Sequence, residues 1–228
     1  MAAGRDPRAV RHTPPATAAR AGRTPRGREE HRGMTLRGAI LAGGASQRMG
    51  RTKALLPVGE TTLIEAVIAR LREACPEILI VTNTPELYRQ LGVPMVPDGL
   101  PGRQSLVGIY TAVLHAGGPV FVCACDMPFL NPALIRYLGS LADGVDVVIP
   151  RHHGEYEPLH AVYTEACLEP IRRCATRQGR NTGFLGEVRV RVVELEEIRR
   201  FDPDLRSFVN VNTPEEYTRL RGEVTRPP

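Results

Sequence analysis

Residues 41–53 read L-A-G-G-A-S-Q-R-M-G-R-T-K and hold the chain's most reactive combination of residue types. Gly43 and Gly44 lack side chains, so their backbone N–H groups can turn toward a ligand and approach it closely. A concavity lined by backbone N–H groups binds anions, phosphate above all. Arg48, Arg51 and Lys53 add formal positive charge at the same place. The apolar run Gly38-Ala39-Ile40 leads into this stretch and Ala54-Leu55-Leu56 follows it, the context of a β-strand feeding a phosphate loop.

Two common phosphate loops do not fit. A P-loop requires G-x-x-x-x-G-K-[ST], but five residues past Gly44 stands Met49, and Gly50 is followed by Arg51-Thr52. The dinucleotide fingerprint G-x-G-x-x-G fails at Ala45. The remaining pattern, L-A-G-G-x-S-x-R-M-G-x-x-K after a first strand, resembles the signature loop of nucleotidyltransferases that move a nucleoside monophosphate onto a phosphorylated acceptor.

Three further polar residues stand at the ends of apolar runs. Asp126 follows P-V-F-V-C-A-C, the strongest strand pattern in the chain. A carboxylate at the mouth of a buried strand, facing a phosphate loop, suits Mg²⁺, which takes one or two carboxylates plus substrate phosphates and water. Asp98 closes the run before Gly99 and suits binding of ribose, base or an ordered water beyond the ligand's direct contacts, or a plain Pro-Asp-Gly turn. Asn83 ends E-I-L-I-V-T and suits either a nucleobase edge or a helix cap ahead of Pro85. Lys53 and Arg48 would neutralise a triphosphate and departing pyrophosphate, since phosphoryl-type transfer rests on positioning and charge stabilisation. Arg51 is expected to be solvated. Glu157, His160 and the pair His152-His153 lack a zinc spacing and suit acceptor contact or surface exposure. Asn210 and Asn212 in F-V-N-V-N-T-P-E-E suit an acceptor pocket, with Asn212 also placed to cap a helix.

The elements that must carry these residues alternate. Strand patterns cover residues 36–42, 77–82, 93–96, 119–125, 146–149, 158–163 and 188–195. Helical patterns cover 61–74 with Thr61 or Thr62 as cap, 86–91 opened by Pro85, 106–116, 131–141 started by Asn131-Pro132, 164–175 capped by Thr164, and 212–220. Residues 151–157 suit an exposed turn. The near-continuous apolar strands are those of a sheet buried on both faces, and the alternation means βαβ units. The expected fold class is α/β, a three-layer sandwich around a mostly parallel sheet. Ligands bind such sheets outside the carboxyl ends of the strands, where the Gly-rich loop, Asn83, Asp98 and Asp126 all stand.

Composition narrows the possibilities. The 228 residues are 42% hydrophobic and 24% charged, values of a globular chain. No stretch approaches the ~18 apolar residues of a membrane span. Residues 1–33 hold eight Arg and three acidic residues, so the whole net charge of +5 resides there and the body is neutral. A nucleic-acid surface therefore has little support. Residues 1–33 are expected to form a disordered basic tail, and 34–228 a single domain. Pro14-Pro15 and Pro25 spoil an amphipathic transit helix, and Met34 is an alternative start. Five Cys without C-x-x-C spacing, and no secretory apolar region, fit reduced thiols in a cytoplasmic protein.

Taken together, L-A-G-G-A-S-Q-R-M-G-R-T-K-A-L-L, C-D-M-P-F, E-P-L-H-A-V-Y and F-V-N-V-N-T-P-E-E resemble the molybdenum cofactor guanylyltransferases. The resemblance runs from about Gly38 to Leu220, and its last motif is the most specific. It implies a Rossmann-like nucleotidyltransferase fold. It implies GTP bound by Leu41, Ala42, Gly43 and Gly44 with Lys53, Asn83, Asp98 and Asp126, the last also binding Mg²⁺. Asn210 and Asn212 then lie near the molybdopterin acceptor, and apo-molybdoenzymes and their chaperones become potential partners. One departure is Thr52, where many members carry an acidic residue. A cytidylyltransferase of the same cofactor, a sugar-1-phosphate nucleotidyltransferase and a non-catalytic cofactor carrier are the rival readings.

Overall fold

A computed structural model of the protein describes residues 35–43, 53–58, 60–101, 105–177, 180–211 and 216. The tail, Gly44, Arg48, Arg51, Asn212 and nearly all of the 212–220 helix lie outside these residues.

Ten strands are present among them. Seven form the main path of one sheet: β1 (Arg37–Leu41), β4 (Ile78–Val81), β5 (Met95–Val96), β6 (Val120–Ala124), β7 (Val147–His152), β9 (His160–Tyr163) and β10 (Val190–Val193). Their spatial order is β10-β7-β9-β6-β1-β4-β5. The short β8 (Glu155–Tyr156) pairs antiparallel with β7, and β2 (Pro57–Val58) pairs antiparallel with β3 (Thr61–Thr62) as a separate hairpin. Strand β1 runs parallel to both β4 and β6, β4 to β5, and β7 to β10. Strand β9 alone on the main path is reversed, antiparallel to β6 and β7.

Helices cover both faces, as three layers require. On one face, α1 (Leu63–Arg72), α3 (Pro132–Ser140) and α5 (Leu195–Arg199) bury Ile64, Val67, Leu71, Leu134, Leu138 and Ile198 against Ile40, Ile80, Phe121 and Val148. On the other, α2 (Ser105–Ala116) and α4 (Leu168–Thr176) bury Leu106, Ile109, Val113 and Ile171 against Ala39, Val122 and Ile149. Each large apolar side chain so buried is worth about 1.5–3 kcal/mol before entropy is charged. Two glycines bring helices unusually near β1. A Cβ on Gly38 would fall 2.7 Å from Leu71 of α1, and one on Gly108 of α2 would fall 2.9 Å from Leu41. The strand preceding the Gly-rich loop is thus gripped from both layers.

Caps set the helix starts as the sequence implies. Thr62 accepts from the Glu65 N–H while the Glu65 carboxylate accepts from the Thr62 N–H, a capping box. Asn131 Oδ1 accepts from the N–H groups of Ala133 and Leu134. The sequence reading fails in four places. Residues 86–91 form two 3-10 turns closed by left-handed Gly92, not one helix. Thr164 caps nothing with its side chain; its hydroxyl donates to the Asp146 carbonyl, and a 3-10 turn (Glu165–Cys167) precedes α4. Strand β10 stops at Val193 because Glu194 and Glu197 start α5 with another reciprocal cap. Residues 151–157 are no free turn: β7 extends through His152 and folds back on β8, with His153 at φ 49° in the tip. No helix among the described residues is long and apolar enough to cross a membrane.

Candidate active site

The carboxyl ends of β1, β4, β5 and β6 lie side by side; β4, β5 and β6 release Asn83, Asp98 and Asp126 there, and β1 releases Gly43. The sheet ladder continues one residue past β1: Ala42 N–H donates to the Val81 carbonyl and Cys125 N–H to the Leu41 carbonyl. Leu41 C=O and Ala42 N–H are therefore spent within the fold, and both side chains are buried. Gly43 is the first residue free of the ladder. It is exposed, and a Cβ added to it would meet nothing within 4 Å. Gly44 and Arg48 lie outside the described residues.

The chain returns at the 3-10 turn Lys53–Leu55, anchored by buried Ala54. Lys53 Nζ donates to Asp126 Oδ2 at 2.5 Å, with side chains only 12% and 18% exposed. Taking both charges out of water is costly, so their attraction chiefly holds the pair in place rather than stabilising the fold. Asp126 stands two residues past the end of β6, and its second oxygen, Oδ1, is buried without a hydrogen-bond partner among the described residues. A buried carboxylate oxygen left unsatisfied costs about 1–3 kcal/mol or more. That oxygen fits a hard divalent cation, and Asp126 is the residue that could hold one.

Asn83 and Asp98 close on each other. Asn83 Nδ2 donates to Asp98 Oδ2 at 2.7 Å, and Asn83 Oδ1 accepts from the Asp98 N–H at 2.9 Å. The helix-cap alternative for Asn83 is overturned, since Thr84 occupies the cap position of the following turn. Asp98 is held in its turn from below: Gly99 N–H donates to Thr111 Oγ1 at 2.8 Å, and that hydroxyl donates to the Val107 carbonyl. Thr111 is fully buried in the middle of α2. Nothing in the sequence pattern marked it, because a buried helical Thr reads as core.

The segment bearing Asn210 passes beside this row. Val211 N–H donates to the Asp126 carbonyl at 3.0 Å, so exposed Asn210 lies one residue from a direct attachment to the Asp126 loop. Asn212 lies outside the described residues. His160 corrects its expectation: it neither reaches the surface nor offers itself to an acceptor. It is 0% exposed, opposite Cys123 in the sheet, edge-on to Phe121 and 4.7 Å from the ring of Phe208. Burial holds its pKa down at about 3, so the ring is neutral. His152 Nε2 lies 2.8 Å from Glu157 Oε1, and burial raises the Glu157 carboxyl above its ordinary range despite that neighbour. His153 is exposed in the hairpin tip. The five cysteines are all free. Burial pushes the thiols of Cys75 and Cys125 up to about 12, so neither is a nucleophile at neutral pH.

Comparison with known proteins gives the family of the chain. A family profile described as the MobA-like NTP transferase domain matches residues 38–191. The chain is 39% identical over 186 residues to a probable molybdenum cofactor guanylyltransferase of Pelotomaculum thermopropionicum, covering 81% of this chain and 91% of that one. It is 38% identical over 192 residues to the molybdenum cofactor guanylyltransferase of Desulfosudis oleivorans, covering 82% and 95%. Among solved structures, the molybdopterin-guanine dinucleotide biosynthesis protein A of Archaeoglobus fulgidus superposes with TM-score 0.71 at 29% identity, covering 82% of this chain and 97% of that one.

Proposed function

We propose a reaction from one premise: this chain belongs to the MobA-like NTP transferase domain family. It transfers GMP from GTP to the terminal phosphate of Mo-molybdopterin, giving the guanine dinucleotide form of the cofactor and pyrophosphate. A bond forms between an acceptor phosphate oxygen and the α-phosphorus, and the bond from that phosphorus to the β-phosphate bridging oxygen breaks. The acceptor phosphate is already anionic, so no side-chain nucleophile is required.

The observation that carries the reading is the Lys53–Asp126 pair at the end of β6, next to the exposed Gly43 at the end of β1. Lys53 sets a buried positive charge where pyrophosphate charge develops, with Arg48 as a second cation. Gly43 and Gly44 offer backbone amides to the phosphates, and Leu41 and Ala42 fix where that loop begins. The Asn83–Asp98 clasp offers paired donor and acceptor atoms to the nucleoside. Asn210 and Asn212 are the residues assigned to the acceptor. Asp126 would hold Mg²⁺ through its unpaired oxygen, and when bound the ion supplies charge neutralisation on the phosphates. Delivery of the product to apo-molybdoenzymes, with their chaperones, completes the role, in a cytoplasm suited to five free thiols.

Two of the named relatives support GTP as donor rather than CTP or a sugar-1-phosphate reaction. The test is pyrophosphate release from each NTP in the presence of molybdopterin, with mass analysis of the dinucleotide. Release with GTP, unaffected by excess CTP, is expected. Asp126→Ala should lower turnover at least ~10³-fold. Near wild-type release from that variant, or cofactor binding with no pyrophosphate from any NTP, would overturn the reading.

A further inference from the structure

The stretch from Phe201 to Val211 is fastened to the Asp126 loop at both of that loop's ends. At the near end, Val211 N–H donates to the Asp126 carbonyl. At the far end, Asn131 N–H donates to Ser207 Oγ at 3.0 Å and Asn131 Nδ2 to the Phe201 carbonyl at 2.8 Å, while its Oδ1 caps α3. Between the ends, the Arg206 guanidinium lies 4.4 Å from the centre of the Phe129 ring.

The stretch is also stiffened internally. Buried Asp202 accepts from the N–H groups of Arg206 at 3.0 Å and Ser207 at 2.8 Å. Leu205 sits at φ 56°, a left-handed conformation that a leucine adopts only where its surroundings hold it. Ser207 is 0% exposed. Phe208 then lies against two imidazoles, 4.6 Å from His152 and 4.7 Å from His160, rings that belong to β7 and β9. None of these ties runs to the loops after β4 or β5, among the described residues.

We infer that Ser207 and Phe208 are positioning residues for the acceptor: they register the Asn210 segment, Ser207 on the loop of Asp126 and Phe208 on the rings of β7 and β9. The inference rests on the proposed transfer reaction and deepens it. An in-line displacement needs the acceptor oxygen aligned with the α-phosphorus, and a misplacement of about 1 Å costs on the order of 10²-fold in rate. The nucleotide side is placed by strand ends, so the acceptor side must be placed relative to it by some other means. A bracket bolted to both ends of the Asp126 loop does this, and the buried Ser207 hydroxyl and the Phe208 ring are its fixed points.

The experiment compares wild type, Ser207→Ala, Phe208→Leu and Phe208→Tyr. Three quantities are measured: GTP affinity with Mg²⁺ by calorimetry, thermal midpoint, and pyrophosphate release as a function of molybdopterin concentration. Ser207→Ala and Phe208→Leu should raise the KM for molybdopterin, or lower kcat, by ~10-fold to 10²-fold. Their GTP affinity should stay within about twofold of wild type, and Phe208→Tyr, which keeps the ring, should recover most of the loss. Unchanged acceptor kinetics in both variants would overturn the inference, as would GTP affinity falling in parallel with acceptor KM. A wild type that binds GTP but releases no pyrophosphate on adding molybdopterin would instead bring down the transfer reaction itself.

Discussion

From β5 across to β6 every strand points the same way, and Asn83, Asp98, Gly43 and Asp126 each stand just past the end of one. Beyond β6 the order is interrupted by reversed β9 before β7 and β10 resume the common direction, and the polar residues there sit elsewhere: His160 begins its strand, and His152 lies at a hairpin corner. In the first region, chain direction alone brings the chemistry to one edge. In the second, the reversed strand breaks that convergence, and Asn210 is set in place by hydrogen bonds and ring packing from a segment whose regular structure is a single 3-10 turn, Arg206–Phe208. Topology is a cheap way to converge groups, and attachment is a costly one because each tie orders more chain.

Variants can break that contrast, and they should differ in what they spare. The largest effect is expected for Lys53→Met, which keeps much of the stem and removes the charge: turnover falls about 10²–10³-fold, or roughly 3–4 kcal/mol, while the KM for molybdopterin is unchanged. Steady-state kinetics with acceptor varied at saturating GTP checks this, and a rise in acceptor KM would merge the two regions into one.

Next comes acidity. The folded pKa of His160 lies at about 3 against an ordinary 6.5, so between these values the unfolded chain takes up a proton that the folded one refuses. Stability from this residue is whole above pH ~6.5 and is lost as pH falls, by about 2 kcal/mol at pH ~5. Urea midpoints measured at both pH values should therefore separate in wild type and converge in His160→Phe. Equal acid sensitivity in the two proteins would sink the assignment.

Asn83→Ala is expected to weaken GTP binding about tenfold, near 1.4 kcal/mol, by leaving Asp98 without its side-chain donor. Acceptor kinetics should not move. The smallest effect belongs to Thr111→Val, equal in shape but without the hydroxyl that accepts from Gly99 N–H. It should cost about 1 kcal/mol, seen as a lower thermal midpoint together with a GTP affinity reduced a few-fold. An unaltered GTP affinity would confine Thr111 to the core.

How far each region could be read from the chain follows the same division. The strands before Gly43, Asn83 and Asp126 announce themselves as buried apolar runs, and a polar residue closing such a run in a parallel sheet has one place to go. Asn131 was equally plain as a cap, and the first helix's cap was narrowed to Thr61 or Thr62, because that chemistry is local. The mutual clasp of Asn83 and Asp98 was not visible, since it depends on two strand ends becoming neighbours. His160 misled in the other direction: a histidine among His, Glu and Tyr suggests surface, and only the reversed pairing of β9 carries it under Phe208. Ser207 and Phe208 left no periodic trace at all, because a segment held by side-chain ties has no repeat to detect.

The bond from Val211 to Asp126 joins a late part of the chain to an early one. A ribosome finishes β1, β4, β5 and β6 well before Phe201 leaves the exit tunnel. On the proposed reaction, a nascent chain can therefore assemble the strand ends that take the nucleotide while still tethered, yet the acceptor's side is not in place until the bracket docks. Synthesis itself thus orders in time the two sites that the proposed reaction needs.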